Sequence, residues 1–137
     1  MTKTVKKTCI LFISGLFVLL SACEALEDLG PDSIYDTWYC VEISEIYNET
    51  NYYVDLSKHP TEEGKIIIDN FYNLGYGIEL TANLSGLSIS IPSQVVDGNT
   101  ISGSGSITSG YKTIDFTYTV NDGGGVIDHV TAEYTKQ

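Results

Sequence analysis

The sequence contains no arginine, and three of its seven basic residues are Lys3, Lys6 and Lys7 at the start of the chain. Lys58, Lys65, Lys112 and Lys136 are left to face all 18 acidic residues. A field of that sign repels polyphosphates and anionic headgroups and favours solubility, so nucleic-acid binding is set aside. Long apolar runs are also missing. The one sizeable stretch, Cys9 to Leu20, is broken only by Ser14 and Gly15. As a helix it would extend roughly 18 Å at 1.5 Å per residue, against a hydrocarbon core of about 30 Å, which argues against a permanent span. No serine sits in a G-x-S-x-G elbow, the acids show no matched pair, and no segment carries a helical apolar period. An enzyme has no support here, and no cofactor is implied.

What is present begins with an address. Three lysines, an apolar run and the small residues Ser21 and Ala22 follow the three-part layout of a secretory signal peptide. Its ending, "LSAC" (Leu20, Ser21, Ala22, Cys23), resembles the lipobox of bacterial lipoproteins. That resemblance implies cleavage before Cys23, diacylation of its thiol and acylation of the new amino terminus. Each buried methylene of an acyl chain contributes about 0.8 kcal/mol, and two or more chains anchor stably where one does not. Glu24, Glu27, Asp28 and Asp32 then interleave with small and apolar residues, resembling the acidic surface-export signal of Bacteroidetes lipoproteins; an ordinary solvated linker has the same composition. The expected organisation is a signal peptide over residues 1–22, a lipidated cysteine and acidic tether over 23–33, and one β domain over 34–137. The expected location is the outer membrane, lipid-anchored, facing the periplasm or the cell surface. "DSI" (Asp32, Ser33, Ile34) resembles the O-glycosylation site of Bacteroidetes secreted proteins.

Cleavage removes Cys9 and lipid occupies Cys23, so Cys40 is alone and no intramolecular disulfide is available. Flanked by Tyr39 and Val41 in a strand pattern, it reads as a small buried hydrophobe rather than a nucleophile.

From Ile34 onward apolar residues recur at period two, with turn residues about every ten positions. In "TIDFTYTV", Ile114, Phe116, Tyr118 and Val120 share one face; in "GIELTANLSG", Ile78, Leu80, Ala82 and Leu84 do. Further strands are expected over Tyr35 to Ser44, Tyr52 to Ser57, Lys65 to Phe71, Leu87 to Val95, Thr100 to Thr108 and Val126 to Tyr134, which makes eight. Short connections suit antiparallel neighbours. The fold class is therefore all-β, a single eight-strand meander closed as a small barrel, with a β-sandwich as the alternative. Polar outward faces argue against a lipid-embedded barrel.

"SIYDTWYCVE" places Trp38 near the start of the first strand and resembles the opening of lipocalin-like domains, although Asp36 stands where a glycine is usual. The order "NFYNLGYG", "SGLSISIPSQ", "GNTISGSGSIT", "FTYTVNDGGG" and "VTAEYT" is similar to that of small Bacteroidetes lipoproteins of uncharacterised function with a lipocalin-like meander. The likeness runs roughly from Trp38 to Thr135 and implies a fold and a location.

Three motifs read as structure. "NDGGGVIDH" offers Asn121, Asp122 and Asp128 as oxygen donors, but Asn-Asp-Gly between alternating runs is hairpin chemistry. "GSGSITSGYKT" has one residue too many for a phosphate loop and lies between strands. Gly103 and Gly105 share a face with Ile101 and Ile107, where they allow a bend or admit a facing ring. His59 with Glu62 and Glu63 reads as a solvated loop, and no metal is assigned. Among the ten tyrosines, those near strand ends can stack on a sugar or another planar face while their hydroxyls hydrogen-bond. Trp38, Tyr72, Tyr76 and Tyr111 are the candidate ligand-binding residues. The expected function is a noncatalytic lipoprotein binding a small hydrophobic molecule, a glycan or a surface protein. The alternative is a structural or assembly component of a cell-surface complex.

Overall fold

The computed structural model describes residues 33–137; the expected signal peptide, Cys23 and the tether up to residue 32 lie outside the described residues. Eight strands follow in sequence: β1 (Thr37–Ser44), β2 (Asn48–Lys58), β3 (Lys65–Asp69), β4 (Glu79–Ser85), β5 (Ser88–Val96), β6 (Asn99–Ile107), β7 (Thr113–Asn121) and β8 (Ile127–Lys136). Each pairs antiparallel with its chain neighbour, and β8 returns to β1 with Cys40 opposite Tyr134 and Ser44 opposite Val130. The sheet is a closed barrel, so the meander expected from the alternating pattern takes the barrel form and not the sandwich. Closure pairs the first and last strands and removes the edge that either would expose.

The period-two pattern decides what fills the interior. On β7, Ile114, Phe116, Tyr118 and Val120 are buried while Asp115 and Thr117 face outward. β1 turns Trp38, Cys40, Glu42 and Ser44 inward, and β8 turns Asp128, Val130, Ala132 and Tyr134 inward. An eight-stranded barrel is just wide enough for its side chains to fill. Phe116 meets Tyr134 with ring centroids 4.7 Å apart, and Phe71 reaches in from above to lie 4.6 Å from Tyr118.

Two glycines make room for these rings. Gly105 pairs with Phe116 and Gly103 with Tyr118. A Cβ at 105 would fall 2.6 Å from the Phe116 ring, and one at 103 would fall 2.4 Å from both Tyr118 Cβ and the Thr117 carbonyl. The facing-ring expectation holds.

Two departures from regular pairing shape the wall. On β5 the register shifts between Ile91 and Gln94, at Pro92, which cannot donate to a ladder. Backbone pairing of β4 with β5 covers only Asn83 to Ser85, and beyond it the Gln94 side chain takes over. Its Oε1 accepts from the Thr81 amide at 3.2 Å and its Nε2 donates to the Thr81 carbonyl at 2.7 Å. The second departure corrects the strand expected over Lys65 to Phe71, which stops at Asp69. Asn70 adopts φ 64°, and a short 3-10 turn, Phe71–Asn73, folds over the barrel end. Asn70 fixes this cap by donating to the Tyr53 carbonyl at 2.7 Å and accepting from the Gly75 amide at 2.8 Å.

Because the strands alternate in direction, the connections sort to two ends. Ser33, the carboxyl terminus and the β2–β3, β4–β5 and β6–β7 connections gather at the base. The β1–β2, β3–β4, β5–β6 and β7–β8 connections gather at the opposite end, the mouth.

Candidate functional site at the barrel mouth

Two acids interrupt the apolar interior, both towards the mouth. Glu42 is 3% exposed and Asp128 is 2% exposed. The strand alternation that turns Cys40 and Val130 inward carries these two inward as well, and a buried carboxyl must be hydrogen-bonded to persist. Glu42 Oε2 accepts from the hydroxyls of both Tyr52 and Tyr118. Asp128 Oδ2 accepts from Ser44 Oγ at 2.6 Å and from the Tyr72 hydroxyl at 2.7 Å, while its Oδ1 accepts from the Ile46 amide at 3.3 Å. Ser44 in turn accepts from the amides of Ile46 and Tyr47, so a single hydroxyl ties the β1–β2 turn to the Asp128 carboxylate.

The electrostatics follow from burial. Burial raises the Glu42 pKa, the Tyr118 and Tyr52 hydroxyls oppose that rise, and the nearby Asp128 charge adds to it. Burial first, then the hydrogen bond to Asp128 and its charge, push the Tyr72 phenol up, so it stays a donor. Tyr134 is fully buried beside this cluster, and its hydroxyl has no hydrogen-bond partner among the described residues. Burial is also the main reason why the Cys40 thiol is pushed up to about 12. A thiol so poor in thiolate is no nucleophile, as its strand setting implies.

Tyr72 stands at the centre of the mouth. It takes φ 55°, ψ 28° inside the 3-10 turn, a left-handed conformation that is unusual for a bulky residue and costs on the order of 1–3 kcal/mol. Its ring meets Tyr118 edge-on at 6.2 Å. One cleft of about 300 Å³ is lined by Ile46, Tyr47, Tyr72, Asn99, Val126 and Asp128, among others. A second, of about 440 Å³, carries Glu42, Tyr47, Thr50, Tyr72, Leu74 and Asn99 in its lining. Tyr47, Tyr72 and Asn99 line both; the first cleft reaches Asp128 and the second Glu42. The clefts lie above the filled interior, whose upper surface is Phe71 packed on Tyr118.

The four aromatic residues singled out in the sequence do not converge. Tyr72 is at the mouth. Trp38 is fully buried at the base, its Nε1 donating to the Ile34 carbonyl at 2.9 Å and its ring 5.9 Å from Lys136 Nζ. Tyr111 is at the base in the β6–β7 connection, beside a shallow cleft with Lys112, Lys136 and Gln137. Tyr76 is exposed in the mouth-end β3–β4 connection but lines neither cleft, its hydroxyl 3.3 Å from the Tyr53 carbonyl. Glu42, Ser44 and Asn99 carry no motif in the sequence, and Asp128, an oxygen donor of the "NDGGGVIDH" stretch, reads there as part of a hairpin. The available signal was parity: Glu42 and Asp128 fall on the inward face of otherwise apolar alternations.

The remaining motifs have structural roles. Asn121 Oδ1 accepts from the Gly123 amide at 2.8 Å and Asp122 Oδ1 from the Gly124 amide at 2.7 Å, which is turn chemistry. His59 Nδ1 accepts from the Glu62 amide at 3.0 Å and its Nε2 lies 3.3 Å from the Glu62 carboxylate, closing its own loop. Ser33 is buried, with its hydroxyl accepting from the Tyr35 amide at 3.0 Å. Among the described residues no cluster of three or more histidine, cysteine or acidic side chains is placed to hold a metal. The chain matches no protein-family model and no curated protein.

Proposed function

We propose that this protein is a lipid-anchored, noncatalytic outer-membrane lipoprotein whose barrel binds a small molecule, glycan or protein partner at its mouth. The observation that carries the binding reading is Tyr72, a strained aromatic residue held by a buried carboxylate between two clefts. Strain of this kind concentrates at ligand sites, where the surroundings must hold it. The anchor reading rests on the lipobox-like "LSAC" and the signal layout before it. The described chain begins at Ser33, at the base, the end of the barrel opposite the mouth. Glu42 and Asp128 are engaged by phenol, hydroxyl and amide donors, which suits a holding role better than proton transfer.

An assembly role is the second reading. Ile43, Ile46, Tyr47, Val126 and Ile127 are exposed on or beside the adjoining β1–β2 and β7–β8 connections, an apolar rim suited to a protein surface.

Fractionation of cells expressing the wild-type protein and Cys23→Ser tests the anchor. The variant leaves the membrane fraction and keeps a β-type circular dichroism spectrum; retention in the pellet rejects the anchor. Tyr47→Ala tests the mouth, because this ring is exposed and its loss should abolish capture of a ligand or partner with little effect on the fold. Capture unchanged in this variant would move the site away from the mouth.

A further inference from the structure

We infer that the mouth takes a small organic cation, a primary ammonium group carried on an apolar body; the inference deepens the binding reading above and rests on it. Three independent features support it. The first is the composition of the clefts. Their inner walls end on the carboxyls of Asp128 and Glu42, their sides are Tyr47, Tyr72, Ile46 and Leu74, and no lysine lines either one. The donors that reach the two carboxyls are all neutral: three phenols, one hydroxyl and one amide. The charge of Asp128 therefore has no counter-charge in these contacts, and its field reaches Glu42. An ammonium supplies what is missing, and the faces of Tyr47 and Tyr72 attract a cation as well.

The second feature is the distribution of charge along the barrel axis. Lys58 ends β2, Lys65 begins β3, Lys112 lies in the β6–β7 connection and Lys136 ends β8, so all four lysines among the described residues are at the base. Glu45, Glu49, Asp69, Glu79, Asp97 and Asp122 lie at mouth-end strand termini or turns. The barrel is negative at the mouth and carries its positive charge at the base. Such a field raises the local concentration of cations at the mouth and repels anions.

The third feature is Tyr72, which lines both clefts. The hydroxyl of Tyr72 occupies Asp128 Oδ2, the position an incoming ammonium would take, and a ligand that displaces it together with the cap backbone also releases the left-handed conformation at Tyr72. One of the clefts that Tyr72 lines reaches Asp128 and the other Glu42.

The test uses three probes of similar shape, 2-phenylethylammonium, 2-phenylethanol and phenylacetate, titrated into the isotopically labelled full chain in detergent micelles and followed by amide chemical shifts. The expected result is saturable shifts at Tyr47, Tyr72, Asn99 and Gly124 with the ammonium, at least tenfold weaker binding of the alcohol, and no mouth shifts with the carboxylate. Raising the salt concentration should weaken the ammonium alone, since exposed charges are screened beyond about 10 Å at 0.1 M. Asp128→Asn, which keeps the shape and the oxygen acceptor, should remove at least a tenfold share of the preference for the ammonium over the alcohol. Equal binding of ammonium and alcohol at the mouth would overturn the cation assignment and leave the mouth as the binding site. Shifts confined to other surfaces, or none with any probe, would overturn the cation assignment and count against the mouth itself.

Discussion

The Tyr72 hydroxyl donates to Asp128 Oδ2 at 2.7 Å, joining residues 56 positions apart and fastening the cap over β3–β4 to the start of β8. This contact opposes the unfavourable backbone conformation of Tyr72. A hydrogen bond to a charged acceptor contributes roughly 1.5–3 kcal/mol. Tyr72→Phe should lower stability by about that amount. Asp128→Asn should cost more, because Ser44 and the Ile46 amide also depend on this side chain. Urea unfolding of both single variants and the double variant gives the coupling energy. A coupling near zero would mean that the cap is held by Phe71 and Asn70 alone.

Glu42 makes stability depend on pH in a direction opposite to that of a salt-bridged acid. Its folded pKa is raised above the ordinary value of 4.5, chiefly by burial, so the folded state binds its proton more tightly than the unfolded chain. Stability from this group is complete below about pH 4 and is lost as pH rises through the folded pKa. Glu42→Gln removes the titration and keeps an acceptor oxygen for Tyr52 and Tyr118. The stability of the variant relative to wild type should therefore increase from about pH 4 to about pH 8. Denaturation at both pH values measures the difference, and a difference that falls with pH would show that Glu42 is stabilised as its anion.

The strands were legible because the barrel is closed and has one inside: most strands carry a period-two pattern, interrupted on β5 past Ile91 and carried by glycines in the middle of β6, and the turn residues separate them. The cap was not, because Asn70, Tyr72 and Asn73 adopt positive φ with nothing in an apolar pattern to announce it, and so the third strand appeared to run on to Phe71. Aromatic type alone was a poor guide to the site. Trp38 and Tyr111 lie at the base and Tyr72 at the mouth, a separation that follows from counting alternating turns once the meander is accepted. Glu42 and Asp128 were visible as acids on inward faces. What alternation could not supply is the register of β1 with β8, which places Ser44 opposite Val130 and brings its hydroxyl to Asp128.

Cys40 should resist thiol reagents in the folded protein. Its side chain is fully buried between β2 and β8 and its thiol pKa is pushed up to about 12, so both access and thiolate are lacking. In a variant carrying both Cys9→Ser and Cys23→Ser, a disulfide-exchange reagent should modify Cys40 only in denaturant, at the rate of unfolding. Rapid modification of the native protein would reveal local opening of the β1–β2 or β1–β8 seam.

Gly103 and Gly105 should differ in their tolerance of a methyl group although they lie two residues apart on one face. At 105 the added Cβ meets the Phe116 ring at 2.6 Å, and a ring can tilt, at the expense of its contact with Tyr134. Overpacking of this kind costs about 1–3 kcal/mol. At 103 the added Cβ meets the Thr117 carbonyl and the Tyr118 Cα and Cβ, all within 2.6 Å, and these move only if β6 separates from β7. Gly103→Ala should therefore destabilise more than Gly105→Ala, and it should also disturb the mouth, because Tyr118 carries one of the two hydroxyls that hold Glu42. Thermal unfolding of the two variants gives the order, and amide shifts at Tyr72 report the mouth. If Gly105→Ala proved the more damaging, the close packing of Phe116 would matter more to this barrel than the tight β6–β7 approach.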